Sequence, residues 1–401
     1  MIEDTRIMIP FDEALSRAIS MVQPLESEAV AVSDACGRVV VEPVYAQIDA
    51  PRVDIAAMDG YAVRLDEART DQALKVVGEA FAGTPFTAAL GEGQAVRIFT
   101  GAHVPAGADC IVMQEYAQRS GDTVTFEKGF GPARHIRKRG GDFAAGALMI
   151  ERGTRLSPAA MIALAGADKA DAVVARQPRV AIIVTGDELV APGSAAAIAN
   201  RQPDSASYGV AALAERYGAT IVQIFRAEDD LATLEEIATQ ALSLADCVIV
   251  IGGASVGERD FAKPMFAGAE LELAFSKVAI KPGKPVWFGT AGGRCVLGLP
   301  GNPGSALVTA RLFAAPLLTA LQGGDAWAEI QTVPLPLEVP LEPGGSREIF
   351  VRARLGKDGL KPVANQESGA QAPLAQSSWL IRRAAHAPAQ VAGAMVRAIP
   401  L

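Results

Sequence analysis

Cysteine, histidine and aromatic residues are scarce in this 401-residue chain. The four cysteines, Cys36, Cys110, Cys247 and Cys295, stand far apart and form no C-x-x-C pair, which argues against a structural zinc site and a disulfide framework. Three histidines, His103, His135 and His386, are too few for a histidine-rich metal centre. Aromatic residues make up only 5%, so the apolar content is mostly Ala, Val, Leu and Ile. No uninterrupted apolar run approaches the ~18 residues of a membrane span, so no membrane association is expected. A basic excess is also missing. Thirty-seven basic against 45 acidic residues leave a formal charge of −8 and a pI near 5.2, which speaks against a general nucleic-acid binder. A local basic pocket for an anionic substrate remains compatible with that balance. The acidic start, Met1 to Leu15, lacks a signal-peptide pattern. The expectation is a reduced, cytoplasmic protein.

What the chain does contain is a large apolar fraction, 50%, enough for a sizeable core. At about 100–200 residues per domain, its length suggests two to four domains. Phe11, Ala14, Leu15, Ala18, Ile19 and Val22 recur at helical spacing after Pro10. From about Val30 to Phe143, short strand-like runs alternate with Gly/Pro turns: Leu74 to Val77, Gln94 to Phe99, Cys110 to Met113, Thr123 to Phe126. Ser157 and Pro158 then read as an N-cap and first position of a helix, which we pair with the first helix as a stalk carrying an inserted β domain. From Arg179, buried strands (Arg179 to Val184, Thr220 to Phe225, Asp246 to Ile251) alternate with helices near Tyr208 to Tyr217 and Leu231 to Leu244. That alternation predicts βαβ units around a parallel sheet. A last helix starts near Pro303, with Pro316 expected to kink or end it. The Pro-punctuated tail from about Asp325 reads as a small β domain.

The fold class is therefore α/β plus β. The expected domains are a discontinuous helical linker (1–44 and 144–178), a β-rich insert (45–143), a three-layer α/β domain (179–323) and a small C-terminal β-barrel-like domain (324–401).

In a parallel α/β sheet, ligands bind beyond the carboxyl ends of the strands. Two glycine turns fall there, Thr185-Gly186-Asp187-Glu188 and Gly252-Gly253-Ala254-Ser255-Val256-Gly257. Glycine lets backbone approach a ligand closely, and N–H groups of a following helix can hold an anion. Either turn alone could equally be a plain βα connection, and neither matches a nucleotide-binding fingerprint. Lys277, Lys281 and Lys284, set among Pro and Gly, suit a phosphate or another polyanion. Leu299-Pro300-Gly301-Asn302-Pro303-Gly304 leads into a helix N-terminus, another potential anion site. Acidic residues recur at strand and loop ends: Asp187, Glu188, Asp229, Asp230, Glu258 and Asp260. Carboxylates near a phosphate make chemical sense if they hold Mg²⁺ or position water; singly, each could be a cap. The β-rich region has its own block around Asp59-Gly60, a Thr100-Gly101 turn, and the basic run Arg134 to Arg139 ending in Gly140-Gly141-Asp142.

Together these blocks resemble the molybdopterin molybdenumtransferases, called MoeA in bacteria and the E domain of gephyrin in animals. The matching blocks are MDGYA (Met58 to Ala62), FTGAHVPAGAD (Phe99 to Asp109), IRKRGGD (Ile136 to Asp142), GTRLSP (Gly153 to Pro158), TGDEL (Thr185 to Leu189), GGASVGERD (Gly252 to Asp260), KPGKP (Lys281 to Pro285) and LPGNP (Leu299 to Pro303). Eight blocks stand in the family's order at close to its spacing, over most of the chain. The resemblance implies insertion of molybdate into adenylylated molybdopterin with release of AMP, and Mg²⁺ as the divalent ion. It implies an elongated homodimer whose cleft joins the α/β domain of one subunit to the β domain of the other. By position it assigns catalytic roles to Asp59, Asp142, Glu188, Asp229 and Asp260, with Glu188 and Asp229 as metal ligands. It assigns substrate binding to Thr100, Arg137, Thr185, Gly252, Gly253, Ser255, Lys277, Lys281, Lys284, Asn302 and Arg347. Implied protein partners are the molybdopterin adenylyltransferase and cofactor-receiving enzymes. A non-catalytic cofactor-binding or delivery module of the same fold, and an adenylyltransferase, are the competing readings.

The chain also departs from the family pattern. Asp204-Ser205-Ala206-Ser207 stands where an Asp-Ser-Asn or Asp-Thr-Asn run is usual. Arg226-Ala227-Glu228 precedes Asp229-Asp230, which shifts the usual arginine. The loop from Asn365 to Ser378 aligns loosely, with Ala372-Pro373 in place of a serine pair.

Overall fold

A computed structural model describes residues 8–70, 72–253 and 261–401. Its central feature is a six-stranded sheet ordered Thr220–Ala227, Arg179–Thr185, Cys247–Ile251, Arg294–Leu299, Trp287–Ala291, Glu272–Phe275. The first four strands are parallel, Trp287–Ala291 runs against them, and Glu272–Phe275 pairs antiparallel with it. Alternation along the strands feeds two cores. Val180, Ile182 and Val184 point into one apolar cluster, Ala181 and Ile183 into the other. Helix Leu231–Leu244 buries Leu234, Ala238 and Ala241 against the second face. Helices Ala206–Arg216 and Pro303–Leu321 cover the first. Buried Asp246, at the amino end of this sheet, accepts hydrogen bonds from both terminal nitrogens of Arg176 (2.8 and 3.0 Å) and ties the incoming chain down.

Helix Phe11–Ser20 does not join helix Pro158–Gly166 in a stalk, as its apolar stripe suggested. It buries Phe11, Ala14, Leu15 and Ala18 in the first α/β cluster. Phe11 sits edge-on to Phe313 and Phe350, with ring centroids 5.4 and 5.3 Å away. The link to the inserted region is made of strands instead. Outgoing and returning segments pair antiparallel at Ser27–Ala31 with Asp171–Ala175, Val44–Tyr45 with Leu148–Ile150, and Ile55–Ala56 with Ile136–Arg137. Helix Pro158–Gly166 packs here, its N-terminus capped by Ser157 Oγ accepting from Ala160 N at 3.2 Å.

The inserted sheet runs Cys110–Met113, Gly60–Val63, Gln94–Ile98, Leu74–Ala80, Thr123–Phe126, Ala117–Ser120. The strand-like runs read from sequence are all present. A side chain on Gly60 would collide with Val112 O, so only glycine lets these two strands meet.

Pro316 neither ends nor breaks its helix. The α-helix Pro303–Thr309 passes through a π-turn at Ala310–Ala314 and resumes at Ala315–Leu321. Proline lacks the N–H that would bond the carbonyl four residues back, and the wider π-turn before it takes up the mismatch. Among the described residues, Pro303–Leu321 is the helix long and apolar enough to cross a membrane, but 94% of it is buried inside the molecule.

The tail forms a third six-stranded arrangement. Ile280–Lys281, Glu348–Leu355, Trp379–Arg383, Met395–Pro400 and Val333–Pro336 pair in that order, and Leu360–Pro362 pairs with Glu348–Leu355. A bridge from Leu337 to Leu360 brings its two ends together around Ala353, Ile381, Val396 and Ala398. Through Ile280–Lys281, this sheet borrows the lysine loop of the α/β region.

Candidate active site

A cavity of about 530 Å³ opens at the carboxyl ends of the parallel strands. Its walls come from the ends of three strands: Thr185 to Leu189, Ile251 to Gly253 and Pro300 to Pro303. Gly252 has φ +104°, and a Cβ there would lie 2.6 Å from Thr185 O and 2.9 Å from Thr185 Oγ1. The turn is thus closed to any side chain, and cavity space reaches the backbone itself. Thr185 Oγ1 is buried and makes no hydrogen bond, which is costly unless something else supplies one. Glu188 and Asp229 both line this cavity. Asp187 Oδ1 accepts from Asp229 N at 2.9 Å and so locks the two acidic turns together. The neighbouring Asp230 has another job: its carboxylate accepts from Thr233 N and Oγ1 (2.9 and 2.7 Å) and caps helix Leu231–Leu244. Those bonds hold its pKa below the usual carboxylate value.

A second cavity, of about 730 Å³, adjoins the first and shares Pro285, Pro300, Asn302 and Gly369 with it. It gathers Lys281, Lys284 and Arg347 against one carboxylate, Glu367. Arg347 Nη1 donates to Ile280 O at 3.0 Å, which aims the guanidinium beside the lysine loop. A buried Ser305 and the start of helix Pro303–Thr309 complete the wall. Lys277 lines neither cavity; its carbonyl accepts from Ile9 N. Ser255 and Asp260 lie outside the described residues.

The inserted sheet carries a separate constellation. Asp59 Oδ1 accepts from both Thr100 N and Thr100 Oγ1, each at 2.7 Å. Those two bonds, backbone first, and the more distant Arg97 charge hold the Asp59 pKa below its ordinary value. The basic run resolves into pairs. Arg134 meets Asp109 at 2.6 Å, Lys138 meets Asp54 at 2.7 Å and Arg139 meets Asp49 at 2.5 Å. Arg137 is exposed and makes no ion pair among the described residues. Asp142 is also exposed, its N–H bonded to Ala50 O at 2.9 Å. None of Asp59, Thr100, Arg137 and Asp142 lines either α/β cavity.

Two family descriptions match the chain: "MoeA N-terminal region (domain I and II)" over residues 9–167, and "Probable molybdopterin binding domain" over residues 181–320. A molybdopterin molybdenumtransferase of Haemophilus influenzae is 37% identical over 322 residues, covering 80% of this chain and 79% of its own length. One from Nostoc is 34% identical over 374 residues, covering 88% and 84%. The crystal structure of a molybdopterin biosynthesis MoeA protein from Pyrococcus horikoshii superposes with a TM-score of 0.79 at 28% identity, covering 98% of this chain and 99% of that one. The chain belongs to the molybdopterin molybdenumtransferase family.

Against that MoeA background the departures in sequence become concrete. Asp204 is 1% exposed and accepts from Ser207 N (3.1 Å), Ser207 Oγ (2.5 Å) and Arg226 Nε (2.9 Å). The shifted Arg226 is therefore the counter-ion of the Asp204 turn, and Arg226 also lies 5.6 Å from the centre of the Tyr208 ring. Ala206 lines the first cavity where an amide is usual. The loosely aligning C-terminal loop turns out to be a wall of both cavities, through Gly369 and Gln371 in the first and Gln366 to Gly369 in the second. Ser368 O accepts from Gly304 N at 2.8 Å and Ser368 Oγ accepts from Asn302 Nδ2 at 3.0 Å, so the loop docks on the helix start. Buried Arg352 holds the loop from beneath, donating to Glu367 O (2.9 Å) and Asn365 O (3.3 Å). Sequence reasoning missed this wall. The available signal was Arg352 itself, a charge at the same strand parity as the core residue Phe350.

Proposed function

We propose that this chain inserts molybdate into adenylylated molybdopterin and releases AMP. The observation that carries the proposal is the pair of adjoining cavities. One combines glycine turns, an unsatisfied Thr185 hydroxyl and two carboxylates. The other concentrates three cations around a polar helix start. A phosphorylated pterin nucleotide needs close backbone and hydroxyl donors, which suits Thr185, Gly252, Gly253 and Asn302. Molybdate is a compact dianion, which suits Lys281, Lys284 and Arg347. Because the cavities share four lining residues, the two substrates can meet without either leaving its site.

Mg²⁺ fits the first cavity as a shared ion. Among the described residues no group of three or more acidic, His or Cys side chains forms a closed metal cage. Mg²⁺ is usually held by one or two carboxylates together with substrate phosphates and water, and Glu188 and Asp229 offer that pair. There it would supply neutralising charge to the anhydride.

Asp59, Thr100, Arg137 and Asp142 complete the cleft in this reading, contributed by the inserted domain of a second subunit. The homodimer has support in helix Pro158–Gly166, which is apolar on all sides yet buries only Leu164. Ile162 on that helix is 78% exposed, and the cross-strand partners Tyr45 and Leu148 are each 49% exposed. Apolar surface of this kind suits a subunit contact. In this reading the domains follow the sequence analysis except in the linker, which loses Phe11–Ser20 to the α/β core and is built mainly of paired strands. Four free thiols suit the cytoplasm, where the adenylyltransferase would deliver the substrate and recipient enzymes would collect the product.

The deciding experiment is AMP release from adenylylated molybdopterin by the purified protein, with and without molybdate and Mg²⁺. Molybdate-dependent release is expected. Tight substrate binding with no release would instead favour a cofactor-binding module.

A further inference from the structure

Phe81 and Phe99 stack face to face with centroids 4.6 Å apart and planes 10° from parallel. Neither ring belongs to the apolar clusters on the two faces of the inserted sheet. Phe81 is 43% exposed, at the start of a tight turn closed by mutual hydrogen bonds between the Phe81 and Thr84 backbones. The stack therefore does not serve the core. It is also fixed in place. The Arg97 guanidinium lies 4.5 Å from the Phe99 centroid and 5.3 Å from that of Tyr61. Arg97 is itself pinned by Gly60 O (2.9 Å) and Gln114 Oε1 (2.6 Å). Phe99 is followed in the chain by Thr100, and Gly60 is preceded by Asp59, so the stack and the Asp59–Thr100 pair share one backbone frame.

We infer that Phe81 and Phe99 form a stacking platform for a flat fused heteroaromatic ring, the adenine of the adenylylated substrate. The inference rests on the transferase reading and deepens it. Arg97 and Phe81 cover the two faces of Phe99, so the open face is the outer one of Phe81, backed by Phe99 and by the fixed cation beneath it; an exposed, rigidly backed aromatic face of this kind holds a planar ring by stacking. Phe81 acts as a specificity-determining residue for the base and takes no part in bond breaking.

The test is calorimetric binding of AMP, ribose 5-phosphate and a free pterin to the full-length protein and to Phe81→Ala, Phe81→Leu and Phe81→Tyr. AMP is expected to bind more tightly than ribose 5-phosphate. Its affinity should fall about tenfold in the Ala and Leu variants, as loss of one base–aromatic stack does, and return in the Tyr variant. Loss of pterin affinity in place of AMP affinity would keep the platform but assign it to the other ring and overturn the adenine assignment. Equal AMP affinity in all four proteins, or no ring binding by the unmodified one, would overturn the platform. So would a Leu variant that binds like Phe, which would reduce the effect to apolar contact. Dissociation of Phe81→Ala subunits on light scattering would make the stack a subunit contact and overturn it too. Because binding is read without turnover, a protein that binds AMP through Phe81 yet releases none would fail the transferase reading and leave the platform standing.

Discussion

The glycine turns that wall the first cavity of the α/β sheet are built from backbone, whereas the Asp59 site on the inserted sheet is built from side chains. At Gly252 there is no room for a Cβ, and Thr185, Gly253 and Gly301 crowd the same turn. Such a wall has one shape and presents fixed N–H and carbonyl groups. Asp59 and Thr100, by contrast, stand at the rim of a sheet with solvent before them, held by two hydrogen bonds. The difference teaches a division of labour. A preorganised backbone cradle binds a phosphate at little entropic cost. A rim of side chains becomes a site once something is brought up to it. The absence of Asp59, Thr100, Arg137 and Asp142 from both cavities fits a cleft that is complete only with a second subunit.

The strongest way to break this comparison is to disable one half per subunit. Asp59→Asn and Glu188→Gln should each lower molybdate-dependent AMP release about 100-fold or more, the scale of losing a positioned acid–base group. Mixed dimers carrying one of each variant should regain about half the wild-type rate, because a twofold dimer then keeps one intact cleft. No recovery in tagged, purified mixed dimers would place both halves of the site within one chain.

A smaller effect sharpens the contrast between the two cavities. Lys281→Ala and Arg347→Ala each remove a cation from the second cavity without touching the glycine turns of the first. The KM for molybdate should rise about tenfold, roughly one charge-assisted hydrogen bond, while affinity for molybdopterin stays near wild type. Initial-rate measurements over a molybdate series separate the two. An equal loss for both substrates would merge the cavities into one site.

Much of this was legible in the sequence because it depends on local periodicity. The strands at Leu74–Ala80, Gln94–Ile98 and Arg179–Thr185 follow from runs of Val and Ile bounded by Gly and Pro. The glycine turns at 186 and 252 were legible too, because an α/β sheet places its ligands there. Two features depended on long-range packing and were not. Helix Phe11–Ser20 has an apolar stripe that says it must pack, but not against what; the partners Phe313 and Phe350 lie some 300 residues away in sequence. The loop at 365–371 has no periodicity of its own. It is held by carbonyl contacts to Arg352 and Gly304, in which the loop gives only backbone, and by the side chains of Gln366 and Ser368, two isolated polar residues whose partners Arg352 and Asn302 no local pattern names.

The smallest effect concerns the Asp59 rim itself. Its pKa is depressed in the folded protein, first by the Thr100 N–H and then by the Thr100 hydroxyl. A depressed carboxyl favours folding above the unfolded value near 3.9 and loses that contribution as pH falls through the folded value. Thr100→Ala removes the hydroxyl bond but keeps the backbone one. The Asp59 pKa should then rise partway toward its ordinary value, and the acid limb of kcat/KM should move to higher pH. Water reaches this carboxylate, so the displacement should be small. Thr100→Ser should restore the wild-type profile by returning the hydroxyl without the methyl group. An acid limb that ignores Thr100 altogether would mean that Asp59 is not the group titrating there. The acid-sensitive carboxylate would then belong to the cavity side, with Glu188 and Asp229.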